Sequence, residues 1–318
     1  MFRRRVIPFD DTPQHVRPES LDYDRWASVP LMAYDPGDGL VPAFNLPEYV
    51  RWAAANAIDI HLLMIHNARA KLIATYLPEA SVIVDLGAAA GSIYRFGYPY
   101  KFHKLIVVDL PPDDRHNIYR EKEMVDVETP YGPVTSLYSS MDDLSAIPSG
   151  SVDLVWSGQS MEHITAEQGD RVCAEVHRIL RPGGQFCLDT PNRLMTEIHL
   201  AGYFPFSHPE HKVEYYPDDL QKKLIAGGFT IVEALGLCEM IRTRRTGAID
   251  YRDFYASSGV NSNVNGSYIQ YYRCVRTRDL PPQPDGSPAP GIALEPVERK
   301  YRAPRGRWQK LVDLFLKD

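Results

Sequence analysis

Short apolar runs recur along the centre of the chain and predict the strands of a single sheet. The runs are rich in Val, Ile and Leu, and a turn-rich or helical segment separates each from the next. This alternation is typical of a parallel sheet that helices cover on both faces. We therefore predict the α/β class, with a doubly wound sheet of seven strands, the last two forming a closing antiparallel hairpin: 82–86, 105–109, 134–138, 152–156, 185–189, 230–237 and 268–275.

Apolar residues at helical spacing predict helices around this sheet. Residues 46–58 and 60–77 have this spacing and lead into the first strand. Residues 166–180 form a third helical pattern, preceded by Thr165 and followed at the third position by Gln168. A threonine and a glutamine at this spacing are typical of a capping box, so we expect a helix to begin here.

The two ends of the chain differ from the centre. Residues 1–45 are rich in Pro, Asp and Arg and are predicted to form an irregular arm, whereas residues 46–278 form the main domain, with an insertion at about 242–266. Residues 279–318 begin with a proline-rich linker and end in a short amphipathic helix with basic flanks, over 308–316. This helix either docks on its own domain or a neighbouring subunit, or contacts a partner or an anionic membrane surface.

Composition and charge narrow the class of partner. The 318 residues are 44% hydrophobic with a net charge of −6, and no basic stripe crosses the central domain, which argues against duplex nucleic acid as a partner. No apolar run approaches the roughly 20 residues needed to span a bilayer, and the N-terminus lacks the apolar core of a signal peptide. The cysteines are scattered without a CxxC pair, which indicates reduced thiols in a cytoplasmic protein: Cys173, Cys187, Cys238 and Cys274.

A turn of very small residues follows the first strand. After residues 82–86 the chain continues Gly87-Ala88-Ala89-Ala90-Gly91, and such a turn lets the backbone approach a ligand closely. In doubly wound sheets, ligands bind at the carboxyl ends of the strands. Asp109 ends the second strand roughly 20 residues further on, where a carboxylate accepts hydrogen bonds from ribose hydroxyls. The pair predicts a nucleoside-binding site.

These residues resemble the first motif of the class I S-adenosylmethionine (SAM)-dependent methyltransferases. The motif is acid-x-Gly-x-Gly-x-Gly, and Asp85, Gly87, Ala89 and Gly91 fall on it, with alanine in place of the middle glycine. The resemblance implies a Rossmann-like fold and SAM as the cofactor. It also implies that Asp85 positions the loop toward the methionine ammonium, that the two glycines make room for SAM, and that Asp109 holds the ribose.

The resemblance extends to later motifs between residues 60 and 229. The family's acid-plus-apolar pair after the third strand falls on Ser140 and Met141, so Met141 is expected beside the adenine and Asp142 is expected to replace the missing acid. The remaining expected cofactor contacts are Leu110, Ser157 and Gln159. A nicotinamide-dependent dehydrogenase is the alternative, but the chain lacks a full Gly-x-Gly-x-x-Gly motif and does not fit the later motifs.

The segment after the fourth strand carries the candidate reactive groups. His163 is the predicted general base for a hydroxyl acceptor, since histidine titrates near neutrality. An alternative is that Glu162 and His163 pack the fold or position the cofactor. The segment also resembles the ubiquinone-biosynthesis O-methyltransferases, in which a Glu-x-x-Glu-His run binds a divalent metal. Here Gln159 replaces the first acid, which leaves Glu162 and His163 as metal ligands to be completed from elsewhere.

Donor-rich residues after the fifth strand are the candidate acceptor contacts. Asn192 and Arg193 leave that strand at the ligand-binding edge, and His208 and His211 lie in the following loop. Few apolar residues accompany them. This favours a polyhydroxylated or anionic acceptor over a flat aromatic one, although loop histidines are often plain surface groups.

Three runs look like methyltransferases of bacterial O-antigen and surface-polysaccharide clusters: residues 158–163, 187–193 and 208–212. This resemblance implies methylation of a sugar hydroxyl. The C-terminal tail would then suit contact with membrane-bound glycosyltransferases, at the periphery of the inner membrane. Two alternatives stay open: a small-molecule O- or N-methyltransferase of secondary metabolism, and a non-catalytic SAM-fold assembly module. A homo-oligomer is compatible with each of them.

Overall fold

The computed structural model describes most of the central domain: residues 60–88, 93–114, 124, 126–200, 206–208, 210–250, 252–256 and 259–276, with the backbone of 32–35 and 39–42. The helix predicted over 46–58, the loop residues Ala89 and Gly91, and the C-terminal tail from residue 279 lie outside the described residues.

Eleven strands and six helices make up the described part of the chain. The strands are β1 Met32–Asp35, β2 Gly39–Pro42, β3 Val82–Leu86, β4 Lys104–Asp109, β5 Val127–Thr129, β6 Gly132–Tyr138, β7 Val152–Gly158, β8 Leu180–Pro191, β9 Phe229–Glu239, β10 Val260–Asn261 and β11 Ser267–Arg276. The helices are α1 Ile60–Tyr76, α2 Ala166–Ile179, α3 Arg193–Leu200, α4 Pro217–Ala226, α5 Ile241–Thr246 and α6 Arg252–Ala256.

The central sheet has the order β10-β9-β11-β8-β7-β3-β4-β6-β5. The five strands from β8 to β6 are parallel, whereas β11 runs antiparallel to both β8 and β9. The predicted doubly wound α/β fold is confirmed, but the sheet has nine strands instead of seven. The two additional strands, β5 and β10, lie at the edges and have three and two residues, too few to show an alternating pattern in the sequence.

The core is divided between the two faces of the sheet. Neighbouring residues of one strand point to opposite faces, so Ile83 packs against α1 in one apolar cluster and Val84 packs against α2 in the other. Leu154 and Val155 of β7 divide in the same way. The central strands are therefore buried on both faces, as their continuous apolar runs predict.

The helix predicted to start with a capping box has one. The Thr165 side chain accepts a hydrogen bond from the Gln168 amide at 3.2 Å, and the Gln168 side chain accepts one from the Thr165 amide at 3.0 Å. α2 then buries Val172, Val176 and Ile179 against the sheet. Of the helices in the described ranges, none is long and apolar enough to cross a membrane.

The strand order places a crevice between β3 and β7. The chain moves outward from β3 to β4 and β6, then returns to the other side of β3 through β7 and β8. At such a switch point the loops after the two central strands diverge and leave room for a ligand. Three loops contribute described residues at this edge: the β3 loop (87–92), of which 87 and 88 are described, the β7 loop (159–165), and the α3–α4 loop (201–216), of which 206–208 and 210–216 are described.

Candidate active site

Asp85 closes the β3 loop. Its carboxylate is buried at the end of β3, and Oδ2 accepts a hydrogen bond from the Ile93 amide at 2.5 Å, across the whole loop. The two ends of the loop are therefore fixed by one side chain. This geometry suits the loop-positioning role predicted for Asp85. The contacts predicted for Ala89 and Gly91 remain predictions because both lie outside the described residues.

Gly87 is required where the β3 loop meets the β7 loop. Its φ is +64°, and its amide donates to the Val108 carbonyl at 2.9 Å. A Cβ at this position would lie 2.6 Å from Ser160 Cβ and 3.3 Å from Met141 Sδ. A real side chain cannot approach so closely, so the residue must be glycine for two reasons. The protein neighbours of Gly87 thus account for the glycine before any cofactor is considered.

Asp109 lies at the carboxyl end of β4, on the same side of the crevice. Its Oδ1 accepts a hydrogen bond from the Leu110 amide at 2.7 Å, which fixes the half-buried carboxylate at the strand end. Leu110 itself is exposed. The pair retains the positions predicted for contact with a nucleoside.

The residues predicted beside the adenine occupy different environments. Met141 is buried against the β3 loop. The Asp142 carboxylate pairs with Arg171, through Nε at 2.9 Å and Nη2 at 2.7 Å, and accepts a short hydrogen bond from the Ser140 hydroxyl. Burial alone raises the pKa of Asp142, but the Ser140 and Arg171 contacts outweigh it and hold that pKa below its usual value. Asp142 is therefore an ionised group anchored to α2.

Two serines tie the β7 loop to the end of β3. The buried Ser157 and Ser160 hydroxyls lie 2.6 Å apart, and Ser160 Oγ donates to the Leu86 carbonyl at 3.2 Å. Ser157 was predicted as a cofactor contact, but its hydroxyl is bonded within the protein. Ser160 was not singled out by the sequence, because nothing in the local pattern shows that it contacts β3.

A buried polar network supports Gln159. This residue has φ +54°, its amide donates to the Asp189 carbonyl at 2.9 Å, and its side-chain Nε2 donates to Asp189 Oδ1 at 2.8 Å. Arg69 of α1 donates to Asp189 Oδ2 at 3.0 Å, and both partners of this ion pair are buried. Three elements far apart in sequence therefore fix the start of the β7 loop. Asp189, at a strand's carboxyl end, was the one available signal of this network.

Three histidines from two loops meet beside the crevice. The ring centroids of His163 and His211 lie 4.9 Å apart, and His208 lies 6.0 Å from His163 and 5.4 Å from His211. The predicted catalytic residue and two predicted acceptor contacts thus belong to one cluster. His208 is half-buried, and its Nδ1 accepts a hydrogen bond from the Glu210 amide at 3.3 Å.

Glu162 is the carboxylate of this cluster. Its side chain is 1% exposed; Oε2 accepts a hydrogen bond from the Thr190 hydroxyl at 2.9 Å, and Oε1 has no hydrogen-bond partner among the described residues. Burial raises the pKa of Glu162 to about 7. One ligand atom from each of Glu162, His163 and His211 lies within 4.8 Å of the others. This donor set suits a divalent cation, and His211 is a third candidate ligand beside the predicted pair.

Glu214 organises the α3–α4 loop beneath the histidines. Its buried carboxylate accepts hydrogen bonds from His211 Nδ1 at 2.7 Å, Thr196 Oγ1 at 2.5 Å, and Ser207 through the amide at 2.7 Å and Oγ at 2.6 Å. Burial alone raises the pKa of Glu214, but these hydrogen bonds lower it to about 2. Glu214 was not predicted as a site residue, since its partner Thr196 lies 18 residues earlier in the chain and no local pattern shows that contact.

Two of the predicted acceptor contacts, Asn192 and Arg193, form bonds within the protein. The Asn192 side chain is fully buried: its Nδ2 donates to the Val264 and Ser267 carbonyls, each at 2.9 Å, and its Oδ1 accepts from the Leu194 amide, as an N-cap of α3 does. Arg193 pairs with Glu214 and Glu197, both at 3.2 Å. Asn192 is enclosed in the fold and cannot face an acceptor, which corrects that prediction, whereas acceptor contact by the partly exposed Arg193 stays a prediction. His208 and His211 keep the predicted position.

The strand order, the glycine turn after β3 and the acid at the end of β4 are features that the resemblance to class I SAM-dependent methyltransferases predicts. Comparison with known proteins agrees: residues 84–188 match a protein family described as "Methyltransferase domain". A curated relative from Mycolicibacterium smegmatis, named "Probable S-adenosylmethionine-dependent methyltransferase", is 30% identical over 119 residues. That match covers 37% of this chain and 44% of the relative's length.

Solved structures give weaker similarities. A SAM-dependent methyltransferase from Thermotoga maritima aligns at a TM-score of 0.49 with 16% identity, covering 73% of this chain and 96% of its own. An S-adenosylmethionine-dependent methyltransferase from Mesorhizobium loti aligns at 0.42 with 17% identity, covering 67% and 98%. Both similarities are too low to support an argument about function. The histidine cluster continues beyond residue 188, where the family match ends.

Proposed function

We propose that this protein is an enzyme that transfers the methyl group of SAM to a hydroxyl oxygen of a sugar. The carbon–sulfur bond of the sulfonium breaks as the oxygen–carbon bond forms, and the hydroxyl proton is released. The products are a methyl ether and S-adenosylhomocysteine (SAH). Since SAM carries its own leaving group, the protein has to hold the acceptor oxygen in line with the methyl carbon and receive one proton.

The observation that carries this proposal is the meeting of two kinds of site at one sheet edge. Gly87 and Asp109 lie on one side of the switch point, the place where doubly wound sheets bind their ligands. Glu162 and His163 follow β7 on the other side, where His211 of the α3–α4 loop joins them. A cofactor on the first side would have its reactive end near the second.

The chemistry of the second side supports a sugar acceptor. Imidazole and carboxylate groups form the cluster, and such groups exchange hydrogen bonds with hydroxyls. A polysaccharide unit offers many hydroxyls and little apolar surface. The sequence analysis predicts two roles for His163, a free base and a metal ligand, and methyl transfer to oxygen is compatible with either.

Two measurements test the proposal in order. Calorimetric titration of the purified chain with SAH is expected to show one binding site. Incubation with methyl-labelled SAM and a panel of saccharides, phenols and amines is then expected to label a saccharide at oxygen. A chain that does not bind SAH contradicts the enzyme assignment. Labelling of phenols or amines but no saccharide keeps the enzyme and rejects the sugar.

A further inference from the structure

The Glu162–His163–His211 cluster is built by two loops that the backbone holds together. The Lys212 amide donates to the Glu162 carbonyl at 2.8 Å, and the Val213 amide donates to the same carbonyl at 3.3 Å. The β7 loop and the α3–α4 loop are thus joined beside the three side chains. The backbones that carry the three side chains are therefore held next to each other by the fold.

One carboxylate oxygen of Glu162 is buried and, among the described residues, unsatisfied. Its Oε1 is buried without a hydrogen-bond partner in the described part of the chain, while Oε2 is held by Thr190. A buried carboxylate oxygen without a partner is costly, and native proteins usually satisfy it with a donor or a cation. A carboxylate oxygen of Glu162 and one imidazole nitrogen from each of His163 and His211 lie within 4.8 Å of one another.

His211 is oriented in the way that metal-binding histidines are. Its Nδ1 lies 2.7 Å from Glu214 Oε1, which leaves Nε2 as the nitrogen available to a ligand. A histidine that bonds a carboxylate through one nitrogen has its tautomer and ring orientation fixed, and its other nitrogen becomes a stronger metal ligand. Glu214 is itself held by Thr196 and Ser207, so it cannot rotate away.

We propose that Glu162, His163 and His211 bind one divalent transition-metal ion, and that Glu214 is the positioning residue for His211. Two imidazoles and one carboxylate suit Zn²⁺, Mn²⁺, Fe²⁺ or Co²⁺ better than Mg²⁺, which prefers oxygen ligands in a full octahedron. Three protein ligands would leave one coordination position open for an acceptor hydroxyl. A cation that binds a hydroxyl lowers the pKa of that hydroxyl. This assignment rests on the proposed function for its role in catalysis, and it makes His163 a ligand in place of a free base.

The first test is metal binding by the full chain after treatment with a chelator. Calorimetric titrations with Mn²⁺, Zn²⁺ and Mg²⁺ are expected to show one site for a transition-metal ion, with Mg²⁺ at least tenfold weaker. Co²⁺ is expected to give a visible absorption band of a low-coordinate site when it binds. Absence of binding by Mn²⁺, Zn²⁺ and Co²⁺ would overturn the proposal, as would a preference for Mg²⁺.

Matched variants locate the site. His211→Ala and Glu162→Gln are expected to lower Co²⁺ affinity at least tenfold, whereas His208→Ala removes a neighbouring imidazole outside the donor set and is expected to leave that affinity unchanged. Glu214→Gln keeps all three ligands and is expected to weaken binding by about 10- to 100-fold with a shifted Co²⁺ band. Equal losses in the His208 and His211 variants, or an unchanged Glu214→Gln variant, contradict the assignment.

SAH binding separates failure of this proposal from failure of the proposed function. The variants are expected to bind SAH as the parent does, which also shows that they fold. A parent chain that binds SAH and takes up no transition-metal ion rejects the metal site alone. A chain that binds Co²⁺ and no SAH rejects the methyltransferase function and keeps the metal site.

Discussion

Asp109 is the residue whose removal tests the cofactor site most directly. Its carboxylate is fixed at the end of β4 by the Leu110 amide, so it is preorganised to accept hydrogen bonds from ribose. Hydrogen bonds to a charged group contribute about 1.5–3 kcal/mol, so we expect Asp109→Ala to weaken SAH binding at least tenfold in calorimetry. The control is Asp113→Ala, which removes an exposed carboxylate nearby. Equal affinities of the two variants for SAH would exclude Asp109 from the site.

Gly87 allows a test that separates backbone strain from packing. Gly87 and Gly150 have nearly the same φ, +64° and +66°, but a Cβ meets Ser160 at Gly87 and finds open space at Gly150. Alanine at either position costs about 1 kcal/mol of stability, because a residue with a Cβ disfavours left-handed backbone. We expect Gly87→Ala to lose about 1–3 kcal/mol more than Gly150→Ala in urea unfolding, because only the first is overpacked. Equal losses would show that the two loops separate readily.

For single residues, the local sequence predicted where a side chain lies along a strand better than it predicted what that side chain binds. Asp85, Gly87 and Asp109 lie at the strand ends where the motif spacing placed them. Asn192 and Arg193 are also where expected, but their side chains bond inside the fold. Whether a polar side chain at a strand end faces a ligand or its own protein depends on partners far along the chain, and no local pattern records them.

At the scale of the elements, one carboxylate links β7 to the neighbouring strands β3 and β8, beside their backbone pairing. Asp153 accepts hydrogen bonds from the Val82 amide at 2.7 Å and the Ser81 amide at 3.1 Å, and it pairs with Arg181 of β8. Burial alone raises the pKa of Asp153, but the Val82 amide and Arg181 outweigh it, so that pKa is below its usual value. One side chain thus joins the starts of three adjacent parallel strands.

This arrangement predicts a pH-dependent loss of stability. Because the folded pKa of Asp153 is below the unfolded value, near 3.9, its charge stabilises the fold above that pH and stops doing so as the pH falls further. We expect Asp153→Asn to lower the free energy of unfolding by about 1–2 kcal/mol at about pH 7, and by clearly less at about pH 3. Asp114→Asn, at an exposed carboxylate, is the control. A difference that does not depend on pH would contradict the role of the charge.

The long elements were predictable and the short ones were not. The capping box of α2 and the central strands have clear local signals, and the structure confirms both. β5 and β10 have three and two residues and exist because a longer neighbour offers free backbone groups at its edge. The predicted antiparallel pairing of the last two strands is correct, but the insertion of β11 between β8 and β9 is a long-range contact.

At the scale of the whole molecule, the reactivity of the four cysteine thiols measures how often the folded chain unfolds. All are buried, and burial raises the pKa of the Cys173 and Cys187 thiols to about 12. Since the thiolate is the reactive form, we expect the folded chain to resist a thiol reagent at about pH 8 and to be labelled only as it unfolds. SAH at 100 times its dissociation constant stabilises the fold by about 2.7 kcal/mol, so labelling should slow about 100-fold.

The rate of labelling also distinguishes local from global opening. A thiol that reacts as fast as a free cysteine would show that part of the sheet is accessible in the folded protein. Labelling that SAH does not slow would show that the thiols become exposed by fluctuations that leave the cofactor site intact. Either result would contradict the expectation that the thiols on both faces of the sheet become exposed only when the cofactor site also opens.

Successive side chains of β8 point to opposite faces of the sheet, so this strand makes contacts on both sides of the crevice. Asp189 bonds Gln159 and Arg69, whereas the next residue, Thr190, points the other way and bonds Glu162. Lengthening this strand by a single residue ahead of Asp189 would turn Asp189 to the other face, which would remove the carboxylate from Arg69 and present a second acid to Glu162. The number of residues in β8 ahead of Asp189 is therefore constrained by contacts on both faces of the sheet, with Arg69 on one face and Glu162 on the other.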